Sequence, residues 1–374
     1  MAGPEPGSAF PSSLSVARVI FAKVTDTYAD RDIATGSGLS NDEQFEALTA
    51  PLRGELTAHC YRMLGSVQDA EDQVQETYLR AWRAYQSFEG RSSVRTWMYR
   101  IATRTCLTAL EQRQRRPLPT GLGAPASDPS GHLRSQPEVP WLEPLPDTLV
   151  GHANPGPADD PAGTVVTRDS VRLALVAALQ WLTGPQRAVL ILRDILAFSA
   201  AETADVLGTS VASANSALQR ARAKLGTSGP LEDAGIPAGQ LDAHERELLA
   251  QYMRAFEQYD TELVVKLLRK DATWEMPPFP DWYSGAEAVV TLMREKCPIE
   301  NPGDMQMVAT SANGQPACAG YMRDDNGVFR PFQLQVLTLT TGDDGTPLVS
   351  HVSCFFDLEL FAAFGLPSEL PARS

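Results

Sequence analysis

Between Pro117 and Thr164 stand 11 prolines and 6 glycines, and nothing else in this 374-residue chain limits its fold as strongly. Proline removes a backbone donor and fixes φ, while glycine loses the most entropy on ordering, so this stretch excludes a long helix or a central strand. An extended acidic connector over 117–164 is expected, with helically patterned blocks on both sides of it. Inside it, Pro140-Trp141-Leu142-Glu143-Pro144-Leu145-Pro146-Asp147 interrupts the polar composition with large apolar side chains. Such a run in a tether is expected to dock on a folded surface.

Charge divides the chain along the same lines. The net charge of −14 taken alone speaks against a nucleic-acid partner. Counted by segment, residues 1–39, 40–116, 117–164, 165–226 and 227–374 carry −1, +1, −5, +3 and −12. The acidity belongs to the last third and the connector, and the middle is free to bind DNA. No apolar run approaches the roughly 20 residues that span a bilayer, and the first 30 residues lack a cationic start followed by an apolar stretch. A cytoplasmic protein without a membrane partner is expected. Cys60, Cys106, Cys297, Cys318 and Cys354 form no C-x-x-C pair, so they read as reduced and mostly buried, with no metal, cofactor or catalytic set implied. Residues 1–40 read as a flexible tail with a short helix near Val16 to Val24.

From 41 to 116 the apolar spacing predicts helices joined at Gly65-Ser66, and a third from about Val94 through Leu110 to a basic end, Arg113-Gln114-Arg115-Arg116. The second helix crowds Asp69, Glu71, Asp72 and Glu76 into its first turns, where the macrodipole favours acids. Asp69, Asp72 and Glu76 share one face with Leu79 and Trp82 nearby, a surface suited to a basic helical partner. The third helix mixes Arg95, Arg100 and Arg104 with Trp97 and Tyr99, a combination that can hold phosphates and stack unpaired bases. The simpler alternatives are that the aromatics are core and the arginines are solvated.

The block 165–228 again reads as helical. Thr183-Gly184-Pro185 opens a helix, Ser199-Ala200-Ala201-Glu202 has the form of a capping box, and Leu207-Gly208 closes a short helix before a last one from Val211 to Leu225. Ala204 and Val206-Leu207 facing Val211, Ala214 and Leu218 make a helix-turn-helix. Its second member carries Asn215, Ser216, Gln219, Arg220, Arg222 and Lys224 and no acid, the residue types that read base edges and hold phosphates in a major groove. A small helical interaction module is the alternative.

Residues 41–226 together resemble the extracytoplasmic-function sigma factors, sigma-70-type initiation subunits of bacterial RNA polymerase. The run Asp69-Ala70-Glu71-Asp72-Gln73-Val74-Gln75-Glu76 is similar to sigma region 2.2, and the resemblance implies contact of those residues with the coiled coil of the largest polymerase subunit. Phe88 through Leu110 resembles the part of region 2 that melts and reads the minus-ten element, which implies that role for Arg95, Trp97, Arg100 and Arg104. Leu182 to Leu225 resembles region 4, which implies minus-35 reading by Asn215, Ser216, Gln219 and Arg220, with Arg222 and Lys224 beside them. The linker is then expected to thread the polymerase cleft, and its −5 charge suits a path that nucleic acid later takes. An anti-sigma protein is compatible with the resemblance, which names none.

Residues 229–374 exceed a minimal sigma factor. A helix over Leu248 to Leu268, the segment Ala272 to Pro278, a helix from Gly285 to about Cys297 and strand-like runs at Met305–Ala312, Ala317–Met322, Phe332–Thr340 and Leu348–Asp357 indicate an α+β domain. Order and the Trp274-Glu275-Met276-Pro277-Pro278 segment resemble the SnoaL-like, nuclear transport factor 2-like cone. The expected chain is therefore two all-α sigma domains followed by an α+β cone. Pocket candidates are Trp274, Glu275, Tyr283, Arg323, Gln333 and His351, and Glu275 with His351 is the pair an acid/base couple would need. The domain is expected to contact the sigma domains intramolecularly and modulate them, its acidity competing with DNA for their basic faces. A ligand-responsive DNA-binding regulator, or a cyclase- or isomerase-type enzyme fused to a DNA-binding module, are the competing readings.

Overall fold

The computed structural model describes residues 40–111, 114–150, 171–226 and 241–371. The expected helix near Val16 to Val24, Arg113 and the linker's end at 151–164 lie outside them. The first block holds α1 (Asn41–Thr49), α2 (Arg53–Leu64), α3 (Val67–Ala84) and α4 (Val94–Leu110). Ser66 and Ser93 start α3 and α4 by accepting from the N–H groups of Asp69 and Thr96. Gly65 makes the α2–α3 turn at φ 73°, and a Cβ there would stand 2.7 Å from Leu142 of the linker. The α4 helix stops at Leu110, so Arg115 and Arg116 begin the linker instead of ending the helix; Pro117 disfavours helical backbone at the residue before it.

The second block holds α5 (Leu173–Leu179), α6 (Gly184–Leu190), α7 (Ala200–Leu207) and α8 (Val211–Gly226), with one π turn over Ile191–Ile195 prolonging α6. The Ser199/Glu202 capping box is present, and Ser210 accepts from the N–H of Ser213 to start α8. Ala204, Val206, Ala214 and Leu218 pack the helix-turn-helix. Val211 is 42% exposed, so, contrary to expectation, it does not join that packing.

The third block is α9 (Ala243–Glu257), α10 (Thr261–Leu267), α11 (Ala286–Lys296), α12 (Glu359–Ala363) and the strands β1 (Leu268–Glu275), β2 (Trp282–Ser284), β3 (Met305–Ala312), β4 (Gln315–Arg323), β5 (Phe329–Thr341) and β6 (Pro347–Phe355). The expected single helix to Leu268 is two helices, broken at Tyr259, whose φ is 52°. The sheet order is β2-β1-β6-β5-β4-β3, with β1 and β6 parallel and every other pair antiparallel. This is the α+β cone expected of the last block. Its inner face presents Trp274, Cys318, Leu337 and Val352 to Tyr252 and Phe256 of α9. Its outer face presents Ala317, Ala319, Tyr321, Leu334, Val336 and Phe355, which share one apolar core with the two helical blocks.

The linker is docked along most of its described length. Ser127 N–H donates to Trp282 O at 2.7 Å, and Gln136 N–H to Pro278 O at 2.8 Å, which lays 124–136 along the cone. Leu142 and Leu145 are fully buried and Trp141 nearly so. Beside them lies Asn313, at the tip of the β3–β4 hairpin, fully buried and with φ 59°. Asn313 and Gly314 both take positive φ, as a tight hairpin turn requires. The Asn313 amide donates to Tyr61 Oη at 2.9 Å and to Val171 O at 2.6 Å, and its Oδ1 accepts from Leu145 N–H at 2.8 Å. Its own N–H donates to Leu145 O at 2.8 Å. One side chain thus joins α2, the linker, the start of the second helical block and the cone. Asn313→Ala leaves several buried partners unsatisfied and is expected to cost about 3 kcal/mol, read as the urea midpoint at constant slope; a change under about 1 kcal/mol would remove this junction from the account.

Candidate nucleic-acid and polymerase interfaces

On α3 the 3.6-residue period turns Val67, Ala70, Val74, Thr77 and Ala81 inward. Two of the residues assigned to polymerase contact therefore do not face solvent. Val74 is 1% exposed in the core, and Asp69 is 8% exposed, its Oδ2 accepting from Arg116 Nη2 at 2.9 Å. Gln73 is half-buried, while Glu71, Asp72 and Gln75 are exposed. Glu76 pairs with Arg80 at 2.6 Å one turn on, and Leu79 is exposed beside it. The available surface is acidic with one apolar residue.

The α4 helix carries the residues assigned to the minus-ten element, and another part of the chain covers it. Arg95 Nε donates to Glu55 Oε2 at 3.0 Å, and its guanidinium lies 4.9 Å from the Tyr99 ring centre and 5.0 Å from that of Phe198, just before α7. Tyr99 is fully buried and meets Phe198 edge-on at 5.2 Å. Arg100 is ion-paired with Asp205 of α7. Trp97 rests on Phe88, with ring centres 4.7 Å apart, and Arg104 is exposed. Tyr99 therefore belongs to the core, and two of the four assigned residues are engaged by the helix-turn-helix. Neither Phe198 nor Asp205 stands out in the sequence, because nothing local marks a short helix as the lid of another domain.

By contrast, Asn215, Ser216, Gln219, Arg220, Arg222 and Lys224 on α8 are all exposed. The expected electrostatic cover by the acidic cone is absent from this face among the described residues. Arg222 is held by Asp194 through a side-on fork, Nε to Oδ2 at 2.9 Å and Nη2 to Oδ1 at 2.6 Å. Asp194 thereby raises the Arg222 guanidinium further. Between the helical blocks, Arg187 is 3% exposed and donates to Gln180 Oε1 at 2.8 Å, to Leu182 O at 3.2 Å and to Met63 O, which closes the carbonyl ends of α2 and α5; burial pushes it down to about 10.

The pocket candidates separate by strand alternation. Trp274 and Tyr283 face the cone's interior, where Trp274 stacks on Phe256 at 6.1 Å. Gln333 is also buried inside, accepting from Cys354 Sγ, while Arg323 is exposed and paired with Asp304. Glu275 and His351 lie on the opposite, outer face, so no single pocket brings the four principal candidates together. Glu275 Oε1 accepts from His351 Nε2 and Ser353 Oγ, both at 2.8 Å. Its Oε2 accepts from the N–H and Oγ1 of Thr120 in the linker, at 3.2 and 2.9 Å. Burial pushes the Glu275 carboxyl up, but the His351 contact and the bonds from Ser353 and Thr120 outweigh it and hold the group below the usual carboxylate range.

Comparison with known proteins gives the family of the two helical blocks. Residues 48–116 match the profile Sigma-70 region 2, and residues 172–225 match Sigma-70, region 4. The ECF RNA polymerase sigma factor SigG of Mycobacterium tuberculosis is 55% identical over 326 residues, covering 87% of this chain and 85% of that protein. The chain belongs to the extracytoplasmic-function sigma factors. The factor is also 33% identical to SigJ of the same organism over 231 residues, 62% of this chain and 63% of SigJ. The crystal structure of the M. tuberculosis SigJ protein aligns with a TM-score of 0.53 at 25% identity, covering 87% of this chain and all of that one. As an alternative sigma factor, the protein binds core RNA polymerase and promoter DNA and directs promoter-specific initiation.

Linkage gives the Glu275 contact a sign. A carboxyl whose folded pKa lies below its unfolded value contributes stability that is fully present above about pH 5 and is lost as pH falls through the folded value. On acidification from about pH 5 to about pH 3, the wild-type melting temperature is therefore expected to fall further than that of Glu275→Gln; parallel curves would show that the folded carboxyl titrates as it does in the unfolded chain.

Proposed function

We propose that the described conformation is the closed, resting form of this sigma factor, and that opening exposes the minus-ten surface. The observation that carries the reading is the packing of Phe198 and Asp205 on Arg95, Tyr99 and Arg100. Single-stranded minus-ten DNA needs those cations and the neighbouring Trp97 free, as stacking and phosphate contact both require access. In the open form α4 engages the minus-ten element through Arg95, Trp97, Arg100 and Arg104. The exposed Glu71, Asp72, Gln75 and Leu79, with the half-buried Glu76, dock on the coiled coil of the largest polymerase subunit in the cytoplasm. Asn215, Ser216, Gln219 and Arg220 read the minus-35 duplex and Lys224 holds phosphate, whereas Arg222 buttresses the recognition helix through Asp194.

The cone acts in this reading as a modulator and not as an enzyme. Its Glu275–His351 pair is saturated by Ser353 and Thr120, which leaves the carboxylate without a free lone-pair direction toward a substrate. The linker must leave the cone to thread the polymerase cleft, so the cone restrains both the linker and the domains it joins.

Two measurements test this. The double variant Phe198→Ala, Asp205→Asn is expected to bind a single-stranded minus-ten oligonucleotide at least about tenfold more tightly than wild type, since about 1.4 kcal/mol of closing contact is removed; equal affinities would contradict the closed state. Gln219→Ala or Arg220→Ala is expected to lose about 1–3 kcal/mol of minus-35 duplex affinity at fixed salt, with discrimination relaxed at one base pair. Unchanged promoter selectivity would remove α8 from the reading role.

A further inference from the structure

The Glu275 site has the makings of a ligand socket, and its present occupant is the chain itself. Glu275 is fully buried, Ser353 is 3% exposed, and both come from adjacent parallel strands at register Glu275↔Ser353. The His351 side chain is 32% exposed, so one wall of the socket reaches solvent. Half of the carboxylate's bonds come from the fixed strands, and the other half come from Thr120, which a single short 3-10 turn, Pro119–Leu122, holds within the proline-rich connector. If Thr120 leaves, one oxygen of a buried anion loses both donors, and water or a ligand must replace them. The replacement that fits must present two adjacent N–H or O–H donors to one carboxylate, and positive charge strengthens such bonds.

We propose that Glu275, His351 and Ser353 form a binding site for a small cationic ligand with paired donors, of the amidinium, guanidinium or amino-alcohol class, which competes with Thr120 and releases the linker from the cone. The site is on the outer face of the sheet and is separate from the cone's interior, where Trp274 and Tyr283 point. Its regulatory consequence rests on the proposal that the linker must leave the cone for the polymerase cleft. The binding step itself does not. Arg134, exposed in the middle of the docked linker, supplies a built-in reporter, because trypsin reaches it faster once the segment lifts.

The experiment uses the full chain and acetamidinium chloride, with tetramethylammonium chloride as a cation that has no N–H. Acetamidinium is expected to raise the rate of cleavage at Arg134 severalfold and saturably in the wild type, with tetramethylammonium at equal concentration having no such effect. Glu275→Gln is expected to abolish the difference between the two salts. Thr120→Val, which keeps the shape but loses the hydroxyl donor, is expected to cleave faster without ligand and to need severalfold less acetamidinium for half-effect. Equal response to both salts, or a Thr120→Val half-effect concentration equal to that of wild type, would overturn the proposal. The Thr120→Val arm decides the matter even where Glu275→Gln fails to fold. No arm involves promoter DNA or polymerase, so a negative result here leaves the closed-state reading intact, and failure of the minus-ten measurement leaves this one standing.

Discussion

The Asn313 amide is the smallest group on which the relative placement of everything else depends. It makes three side-chain hydrogen bonds, to Tyr61, Val171 and Leu145, all inside a region from which water is excluded. Asparagine suits the position for two separate reasons. It tolerates the left-handed backbone that the hairpin tip demands, and it offers a donor pair and an acceptor together. Aspartate would present only acceptors to Val171 O, and glycine would keep the turn but lose the junction. Tyr61, oriented by this contact, donates at 2.6 Å to Glu143 O, and Glu143 in turn receives Val67 N–H at the start of α3. The position of the acidic α3 face is thereby coupled to a hairpin almost 250 residues away in sequence.

The closed arrangement relies on apolar burial far more than on charge pairs. The outer sheet face, Leu142, Leu145 and both helical blocks share one core, and such burial is worth about 25 cal/mol per Å² removed from water. The visible ion pairs contribute less. Arg100–Asp205 is half open to solvent on the aspartate side, where pairs are worth roughly 0–1 kcal/mol. Arg187 is buried among carbonyl oxygens, with no carboxylate bonded to it among the described residues, and removing a buried cation's partners is costly even where the group itself adds little net stability. Such an interface specifies geometry closely. It also permits opening, because the arginines regain full hydration when the blocks separate.

Much of this was legible in the sequence. The Ser199 capping box, the Gly65 and Gly208 turns and the strands β3 to β6 follow from local rules, and each occurs within a few residues of the expected place. The strand β1 did not show, because Arg269-Lys270-Asp271 hide its alternation. That omission propagated: without β1 as a strand, Trp274 and Glu275 look like neighbours in one pocket, whereas adjacent strand residues point to opposite faces. Linker composition excludes a long helix or a central strand, and the described part holds two short 3-10 turns, Pro119–Leu122 and Asp147–Leu149; the run Pro140 to Asp147 stands out as a docking run, but Thr120 on Glu275 pairs residues 155 positions apart with no local signal. The acidic cone was expected over the basic faces. The basic faces instead differ in fate, one covered by a helix of the adjoining sigma block and the other left open.

That difference constrains the order of events at a promoter. The surface assigned to double-stranded DNA is available in the closed form, while the surface assigned to separated strands is not. A factor arranged this way can meet duplex DNA through α8 before any minus-ten contact forms. Duplex docking pulls on the same block that carries Phe198 and Asp205, and what resists it is the apolar core that the blocks share, together with the Phe198 side chain and one solvent-screened ion pair. The ion pair is small next to the phosphate contacts that a cationic recognition helix gains on DNA. The cone enters the balance through the linker and through the core it shares with both helical blocks, so loosening it lowers the work of opening without touching either DNA-reading surface. On the proposed reading, the cone need not approach DNA at all to control the sigma domains.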